Sequence, residues 1–191
     1  MAKPHFLETP PSAWVQRFAG LIAAGGSVLD VACGSGRHLR WLHSSGFRLT
    51  GVDRDAAALA ELALACPGAE LLNADLESGP WPLPGRRFDA VVVTHYLWRP
   101  LLPSLRGALA EGGVLIFETF ADGQQKIGKP SRAEFLLQSG ELLRACEGLR
   151  VVAFEDGFEA EVPRYVQRIV AVNAAPDRSE ALPYSLNAAH G

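Results

Sequence analysis

The stretch Val28-Leu-Asp-Val-Ala-Cys-Gly-Ser-Gly-Arg-His38 constrains this chain more than any other. An apolar run ends in an acidic residue and passes into a short glycine-rich turn. Ser27 to Val31 read as a buried strand, Gly34 and Gly36 let the backbone turn without Cβ clashes, and Arg37 to Ser44 can begin a helix. A strand feeding a helix through such a turn leaves bare backbone at the strand end, an arrangement that suits a nucleotide-type ligand.

The same alternation continues along the chain. Pro11 to Ala24 carries Trp14, Val15, Phe18, Leu21 and Ile22 at helical spacing, so a lead-in helix over 11–24 precedes the first strand, closed by Gly25-Gly26. Phe47 to Val52 predicts a second strand closing on Asp53. Ala56 to Ala65 predicts a helix stopped by Pro67-Gly68, and Ala69 to Asn73 a third strand followed by Asp75. The Pro- and Gly-rich loop Glu77 to Arg87 leads to a fourth strand, Phe88 to Val93. Leu101 to Ala110 predicts a helix closed by Gly112-Gly113, and Val114 to Phe117 a fifth strand ending at Glu118-Thr119. Phe120 to Phe135 has no period and reads as a functional loop. A short helix, Gly140 to Cys146, precedes strands at Leu149 to Phe154 and Tyr165 to Val172. Only Glu155 to Arg164, without helical pattern, separates these strands, so they are expected to be antiparallel. Strands alternating with crossover helices mark an α/β fold with a mostly parallel sheet.

Composition narrows the class. A chain of 191 residues, 48% hydrophobic, is expected to form one domain over 1–172. Residues 173–191 are polar, proline-broken and aperiodic, and read as a flexible tail. A net charge of −3 with no run of Lys or Arg lacks the footprint of a nucleic-acid binder, and Arg86-Arg87 reads as solvated loop. Three widely spaced cysteines, Cys33, Cys66 and Cys146, offer neither a disulfide framework nor a zinc pattern and fit a reducing cytoplasm. The N-terminus lacks a signal-peptide core and nowhere do about 18 apolar residues run uninterrupted, so no membrane partner is expected. The histidines show no ligand spacing, so no metal is expected.

Dinucleotides and methyl-donor sulfonium cofactors both use a glycine turn followed about 20 residues later by an acid. Asp53 fits both. Its carboxylate either accepts the two ribose hydroxyls or serves as a turn or cap residue. From Gly34 the frame runs Gly-Ser-Gly-Arg-His-Leu39, so Leu39 stands where a dinucleotide turn needs a third small residue and is expected to hold the helix off the strand. Asp30 sits poorly beside a pyrophosphate and suits a cation, such as a sulfonium with an amino-acid tail.

Asp30-Val-Ala-Cys-Gly-Ser-Gly36 resembles motif I of the class I S-adenosylmethionine-dependent methyltransferases, acidic-x-Gly-x-Gly-x-Gly. Ala32 replaces the first glycine, a departure that fits if its φ is below zero. The resemblance continues at Gly51-Val-Asp53-Arg54, Ala74-Asp75-Leu76, Phe88 to Thr94 and Leu109 to Leu115, and covers about Ser27 to Val172. It implies a three-layer Rossmann-like fold, a seven-stranded sheet of order 3-2-1-4-5-7-6 with an antiparallel last strand and helices on both faces. It also implies S-adenosylmethionine as cofactor. Asp30, Ala32, Cys33, Gly34 and Gly36 would lie around the methionine moiety and Asp53 on the ribose. Arg54 would flank the adenine, Asp75 and Leu76 would meet its amino edge, and Thr94 would stand at the strand end facing the methyl group. Cys33 itself reads as a small packing residue rather than a nucleophile.

The acceptor side begins at Thr94-His95-Tyr96-Leu97-Trp98-Arg99-Pro100. His95 and Tyr96 either orient or deprotonate an acceptor or cap a strand beneath a loop. Arg99 either grips an anionic acceptor or is spent on a carbonyl or carboxylate of the chain. Glu118, Thr119, Gln124, Lys126 and Lys129 are further pocket candidates. Gly128 to Leu143 resembles the corresponding stretch of the tellurite-resistance methyltransferases, which implies a small-molecule acceptor such as a metalloid oxyanion, thiol or amine. The expected activity is in-line methyl transfer, for which a base is optional because alignment and dryness do much of the work. The alternatives are a catalytically inactive cofactor-binding or regulatory module, and a nicotinamide oxidoreductase, which Leu39, Asp30 and the antiparallel end disfavour.

Overall fold

In the computed structural model, which describes residues 10–174 and 184–186, the chain enters through α1 (Ala13–Phe18). Ser12 caps this helix by accepting the Trp14 and Val15 N–H groups, and the turn Ala19–Leu21 ends it short of the expected Ala24. There follow β1 (Ser27–Val31), α2 (Arg37–His43), β2 (Arg48–Asp53), α3 (Ala56–Ala65), β3 (Glu70–Asn73) and β4 (Phe88–Thr94). The last elements are α4 (Leu102–Gly107), β5 (Leu109–Phe120), α5 (Glu141–Ala145), β6 (Arg150–Glu159) and β7 (Arg164–Val172).

The seven strands form one sheet in the order β3-β2-β1-β4-β5-β7-β6. β1 to β5 are parallel, and β7 runs against both β5 and β6, as the short unpatterned connection required. The central strands read as continuous apolar runs because both their faces are covered. In β4, Val91 and Val93 enter one core with Leu105, Phe117 and Leu142, while Ala90 and Val92 enter another with Phe18, Leu39, Leu62 and Ile116. β1 has β2 on one side and β4 on the other, so the chain changes direction across the sheet here, and a crevice opens at the carboxyl ends of these strands.

Two further expected boundaries change. The helix read over Leu101 to Ala110 stops at Gly107, and β5 begins at Leu109. Phe88 pairs with Leu109 and Ala90 with Val114, so the stretch between them bulges from the ladder. Gly112 supplies a φ of 75°, and a Cβ on Gly113 would stand 2.8 Å from the Phe88 carbonyl oxygen. The glycine pair that resembles a helix stop is therefore the means of fitting a bulge beside β4. The second change is that β6 runs to Glu159, well beyond Phe154, making a long hairpin with β7.

Of the tail expected over 173–191, residues 173–174 and 184–186 are described, and these are tied down. Asn173 exchanges backbone bonds with Gly112 and Gly113, and Tyr184 packs on the α1 side of the sheet with the Arg150 guanidinium over its ring. The remainder of the tail, and the residues 1–9 read as carrying no leader, lie outside the described residues. Among the described residues no helix is long and apolar enough to cross a membrane.

Candidate active site

The turn leaving β1 is built on unusual backbone. Gly34 and Gly36 take φ of 54° and 76°, and Ala32 takes 55°. The expectation that Ala32 has φ below zero is therefore overturned: it holds a left-handed conformation that costs an L residue roughly 1–2 kcal/mol. The turn imposes it, because the Cys33 N–H must reach the Val52 carbonyl at 3.1 Å and the Gly36 N–H the Cys33 carbonyl at 2.9 Å. Gly36 is fixed twice over, since a Cβ there would lie 2.4 Å from Leu62 of α3. Leu39 does not hold α2 off the sheet. It is fully buried against Gly51 of β2, where a Cβ would stand 2.6 Å from its Cδ1, so the small residue that the turn helix lacks is supplied by the neighbouring strand.

A cavity of about 190 Å³ opens beside this turn, lined by Ala32, Asp53, Arg54, Ala74, Asp75, Leu76, Glu77 and Tyr96. Six of the site residues read from the sequence thus come together: Ala32, Asp53, Arg54, Asp75, Leu76 and Tyr96. The Asp53 carboxylate accepts the Gly34 N–H at 2.7 Å and the Asp55 N–H at 2.9 Å, one on each oxygen. These bonds fix its plane and leave a lone pair on each oxygen for a diol. Asp75 accepts the Glu77 N–H and the Ser78 hydroxyl, which holds its carboxyl below the usual range and pins the loop at the cavity rim. The Tyr96 hydroxyl is buried with no partner among the described residues, and burial pushes its phenol pKa up, so it is a wall rather than a base.

Behind the turn, Asp30 is 1% exposed and its Oδ2 has no hydrogen-bond partner among the described residues. Burial pushes this carboxyl up to about 8, against an opposing pull from Arg37. His38 faces it, with Nδ1 3.8 Å from Asp30 Oδ2 and 3.5 Å from Thr94 Oγ1. His38 Nε2 accepts the Ser12 N–H at 3.2 Å, so Nδ1 carries the proton of a neutral ring that burial holds down at about 3. Ser12 also donates its hydroxyl to Glu118 at 3.0 Å. The lead-in segment is thereby laced to the carboxyl ends of β1, β4 and β5. Cys33 is buried, and burial raises its thiol, consistent with packing rather than attack.

His95 follows β4 with φ of 54° and stacks on Phe120, ring centroids 4.9 Å apart. Its Nε2 meets Arg164 Nη1 at 3.0 Å and its Nδ1 meets Arg37 Nη2 at 3.5 Å. Arg99 lies elsewhere: its Nε and Nη2 hold both oxygens of Glu141, and its Nη1 and Nη2 hold the Glu134 and Leu136 carbonyls, all within 2.9 Å. Its fork is occupied by the chain, the reading in which it grips an acceptor being replaced by one in which it clasps the loop before α5. Gln124 is likewise internal, accepting the Tyr165 N–H and donating to the Lys129 carbonyl. Sequence reasoning missed Arg37, His38 and Arg164 as site residues. Arg37 and His38 carry a legible signal, their place at the start of the helix after the turn. Arg164 carries none until β7 is folded against β5.

A larger hollow, about 610 Å³, lies at the opposite, amino-terminal edge of the strands around Ser27, Arg48, Glu70 and Phe88. It is lined by none of the site residues read from the sequence, and Arg86 there is spent on both oxygens of Glu70. The carboxyl-end crevice is therefore the candidate site. Among the described residues no group of three or more His, Cys, Asp or Glu is placed to hold a metal ion.

Residues 28–113 match a family model described as a methyltransferase domain. Over 126 residues the chain is 32% identical to a trans-aconitate 2-methyltransferase from Paracidovorax citrulli, which covers 62% of this chain and 47% of that protein. The chain spans about half the length of this curated relative. Among solved structures, TehB from Haemophilus influenzae superposes with a TM-score of 0.65 at 17% identity, over 81% of this chain and 59% of TehB. An S-adenosylmethionine-dependent methyltransferase from Mesorhizobium loti superposes with a TM-score of 0.63 at 20% identity, over 79% of this chain and 92% of its own. These superpositions show that the sheet order and its antiparallel end are those of a shared Rossmann-like fold.

Proposed function

We propose that the protein, whose residues 28–113 match a methyltransferase-domain model and whose sheet has the order of the class I Rossmann-like fold, transfers a methyl group from S-adenosylmethionine to a small-molecule acceptor. The observation that carries this reading is the pair of carboxylates bracketing the glycine turn. Asp53 is held with free lone pairs on the cavity, and Asp30 is buried with an oxygen that no donor among the described residues satisfies. That pair fits a ligand with a ribose at one end and a cationic amino acid at the other.

S-adenosylmethionine, when bound, supplies a methyl group made electrophilic by its positively charged sulfur. Asp30 receives the ammonium of the amino-acid end, along the Ala32 to Gly36 backbone. Asp53 accepts the ribose hydroxyls, and Arg54, Asp75, Leu76 and the Tyr96 ring border the adenine. Thr94 and His95, at the carboxyl end of β4, form the floor on which an acceptor is aligned for in-line attack. Orientation and exclusion of water supply most of the acceleration there. The Paracidovorax relative is named for trans-aconitate, a small carboxylate, and an acceptor of that size suits this crevice. We place the protein in a reducing cytoplasm, consistent with three free, buried cysteines.

The test is transfer of labelled methyl across a panel of small carboxylates, amines, thiols and metalloid oxyanions, with Asp53→Ala as control. Transfer to any of them that disappears in the control supports the reading. Binding of the cofactor without transfer to any of them points to an inactive module, and tight binding of NAD in its place overturns the assignment.

A further inference from the structure

Two buried polar atoms at the end of β1 face each other without meeting. Asp30 Oδ2 accepts no hydrogen bond among the described residues, and His38 Nδ1 stands 3.8 Å away, the two side chains being 1% and 2% exposed. The Nδ1 contact with Thr94 Oγ1, at 3.5 Å, lies at the outer limit of a hydrogen bond. A buried acceptor without a donor and a buried donor with a marginal acceptor are both costly, and closing the gap by about 1 Å joins them.

The tautomer of His38 is set from outside the pair. Nε2 accepts the Ser12 N–H at 3.2 Å, so the ring proton sits on Nδ1, toward Asp30 of β1 and Thr94 of β4. Ser12 is itself held in place: its hydroxyl oxygen accepts the Trp14 and Val15 N–H groups and donates to Glu118 at 3.0 Å. A protonated ring would set an Nε2 proton against the Ser12 N–H, and burial, Arg37 and His95 all disfavour that charge. Neutrality matters for what meets Asp30. Burial holds the Asp30 carboxyl up, Arg37 draws it down and Asp53 adds to the rise. A second cation beside Asp30 would cancel its charge, whereas a neutral N–H orients a carboxylate and leaves the negative charge for a cationic ligand.

Resting on the methyl-transfer reading, we propose that His38 is a positioning residue of the cofactor seat, its Nδ1–H donating to Asp30 when the ammonium end of S-adenosylmethionine binds there. Asp30 gives up its proton to the solvent, the ammonium keeps its own, and no other bond is made or broken. One carboxylate oxygen accepts from His38, and the remaining lone pairs are left to the ligand. A chain of contacts then runs from Glu118 on β5 through the Ser12 cap and His38 to Asp30. The amino-acid end of the cofactor, and not its nucleoside, is the part that His38 governs.

The test is calorimetric titration of the full chain with S-adenosylhomocysteine, which carries the ammonium, and with 5′-methylthioadenosine, which keeps the nucleoside and lacks the amino-acid end. His38→Asn puts an amide N–H near the place of Nδ1, and His38→Gln an amide oxygen near the place of Nε2. The first therefore keeps the donor to Asp30 and the second the acceptor for Ser12. His38→Gln is expected to weaken S-adenosylhomocysteine by about tenfold or more and to leave methylthioadenosine within about twofold, while His38→Asn stays within about threefold for both. Thermal melting reports whether the variants fold. In the unaltered chain, ¹⁵N-labelled histidine spectra are expected to show the Nδ1–H tautomer at His38, that proton moving downfield on S-adenosylhomocysteine and staying in place on methylthioadenosine. If neither variant folds, these spectra decide alone. Equal loss of both ligands, S-adenosylhomocysteine affinity kept in His38→Gln, His38→Asn as weak as His38→Gln, an Nε2–H tautomer or an unmoved Nδ1 proton overturns the proposal. If the unaltered chain binds neither ligand, the methyl-transfer reading falls and takes this one with it; if it binds both and His38→Gln changes neither, the positioning role alone falls.

Discussion

Ala32 shows how much of this site rests on single residues. It holds φ of 55° where glycine would be unstrained, so Ala32→Gly is expected to raise the unfolding free energy by up to about 1 kcal/mol, the relief of strain being partly offset by glycine's greater chain entropy. Gly36→Ala combines the same backbone penalty with a 2.4 Å approach to Leu62 and is expected to cost about 2–4 kcal/mol; urea unfolding of both variants checks the pair. Asp30 governs the pH response. Its carboxyl titrates at about 8 in the fold against 3.8 in a free chain, so between those values the folded state keeps a proton that the unfolded state has lost, and stability falls as pH rises through that window. His38, held at about 3 against 6.5, acts in the other direction below 6.5, where the unfolded chain gains a proton that the buried ring refuses. The Asp30 decline is therefore exposed between 6.5 and 8, and Asp30→Asn is expected to flatten it in a melting series across that range while weakening cofactor binding. The two carboxylates were legible in the sequence because each ends an apolar strand, a position read from local pattern. The contacts around His95 were not, because Arg37 and Arg164 are brought together only by the folded sheet.

Local pattern carried the elements themselves with equal unevenness. Runs such as Phe88 to Val93 and Leu29 to Val31 announce strands covered on both faces, and the unpatterned stretch before Arg164 announced the antiparallel hairpin. Gly112-Gly113 misled because a glycine pair ends helices and makes bulges equally well, and what selects the bulge is the Phe88 carbonyl on a neighbouring strand. Leu39 misled for a related reason: the space it needs lies in β2, at Gly51. Gly51→Ala, whose Cβ would stand 2.6 Å from Leu39 Cδ1, is expected to destabilise the fold by about 1–3 kcal/mol, and denaturant unfolding checks it. If Gly51→Ala were neutral, the packing of α2 on the sheet would have to be softer than described.

At the scale of the molecule, the sheet order places β1 and β4 side by side with their helices on opposite faces, so the crevice at their carboxyl ends follows from topology. The cavity beside the glycine turn lies on the β2 and β3 side of that crevice, while Arg37, His95 and Arg164 lie on the β5 and β7 side, with Asp30 and the glycine turn between them. Binding of S-adenosylmethionine in that cavity is the claim on which the proposed function depends. The direct measurement is calorimetric titration of the chain with S-adenosylmethionine at pH 7, in two buffers of different ionisation enthalpy, beside Asp53→Ala. One site per chain is expected, with net proton release as the ammonium meets Asp30 and affinity about tenfold or more weaker in the variant, a difference of about 1.4 kcal/mol or more. Absence of binding, or binding that Asp53→Ala leaves unchanged, would contradict the account.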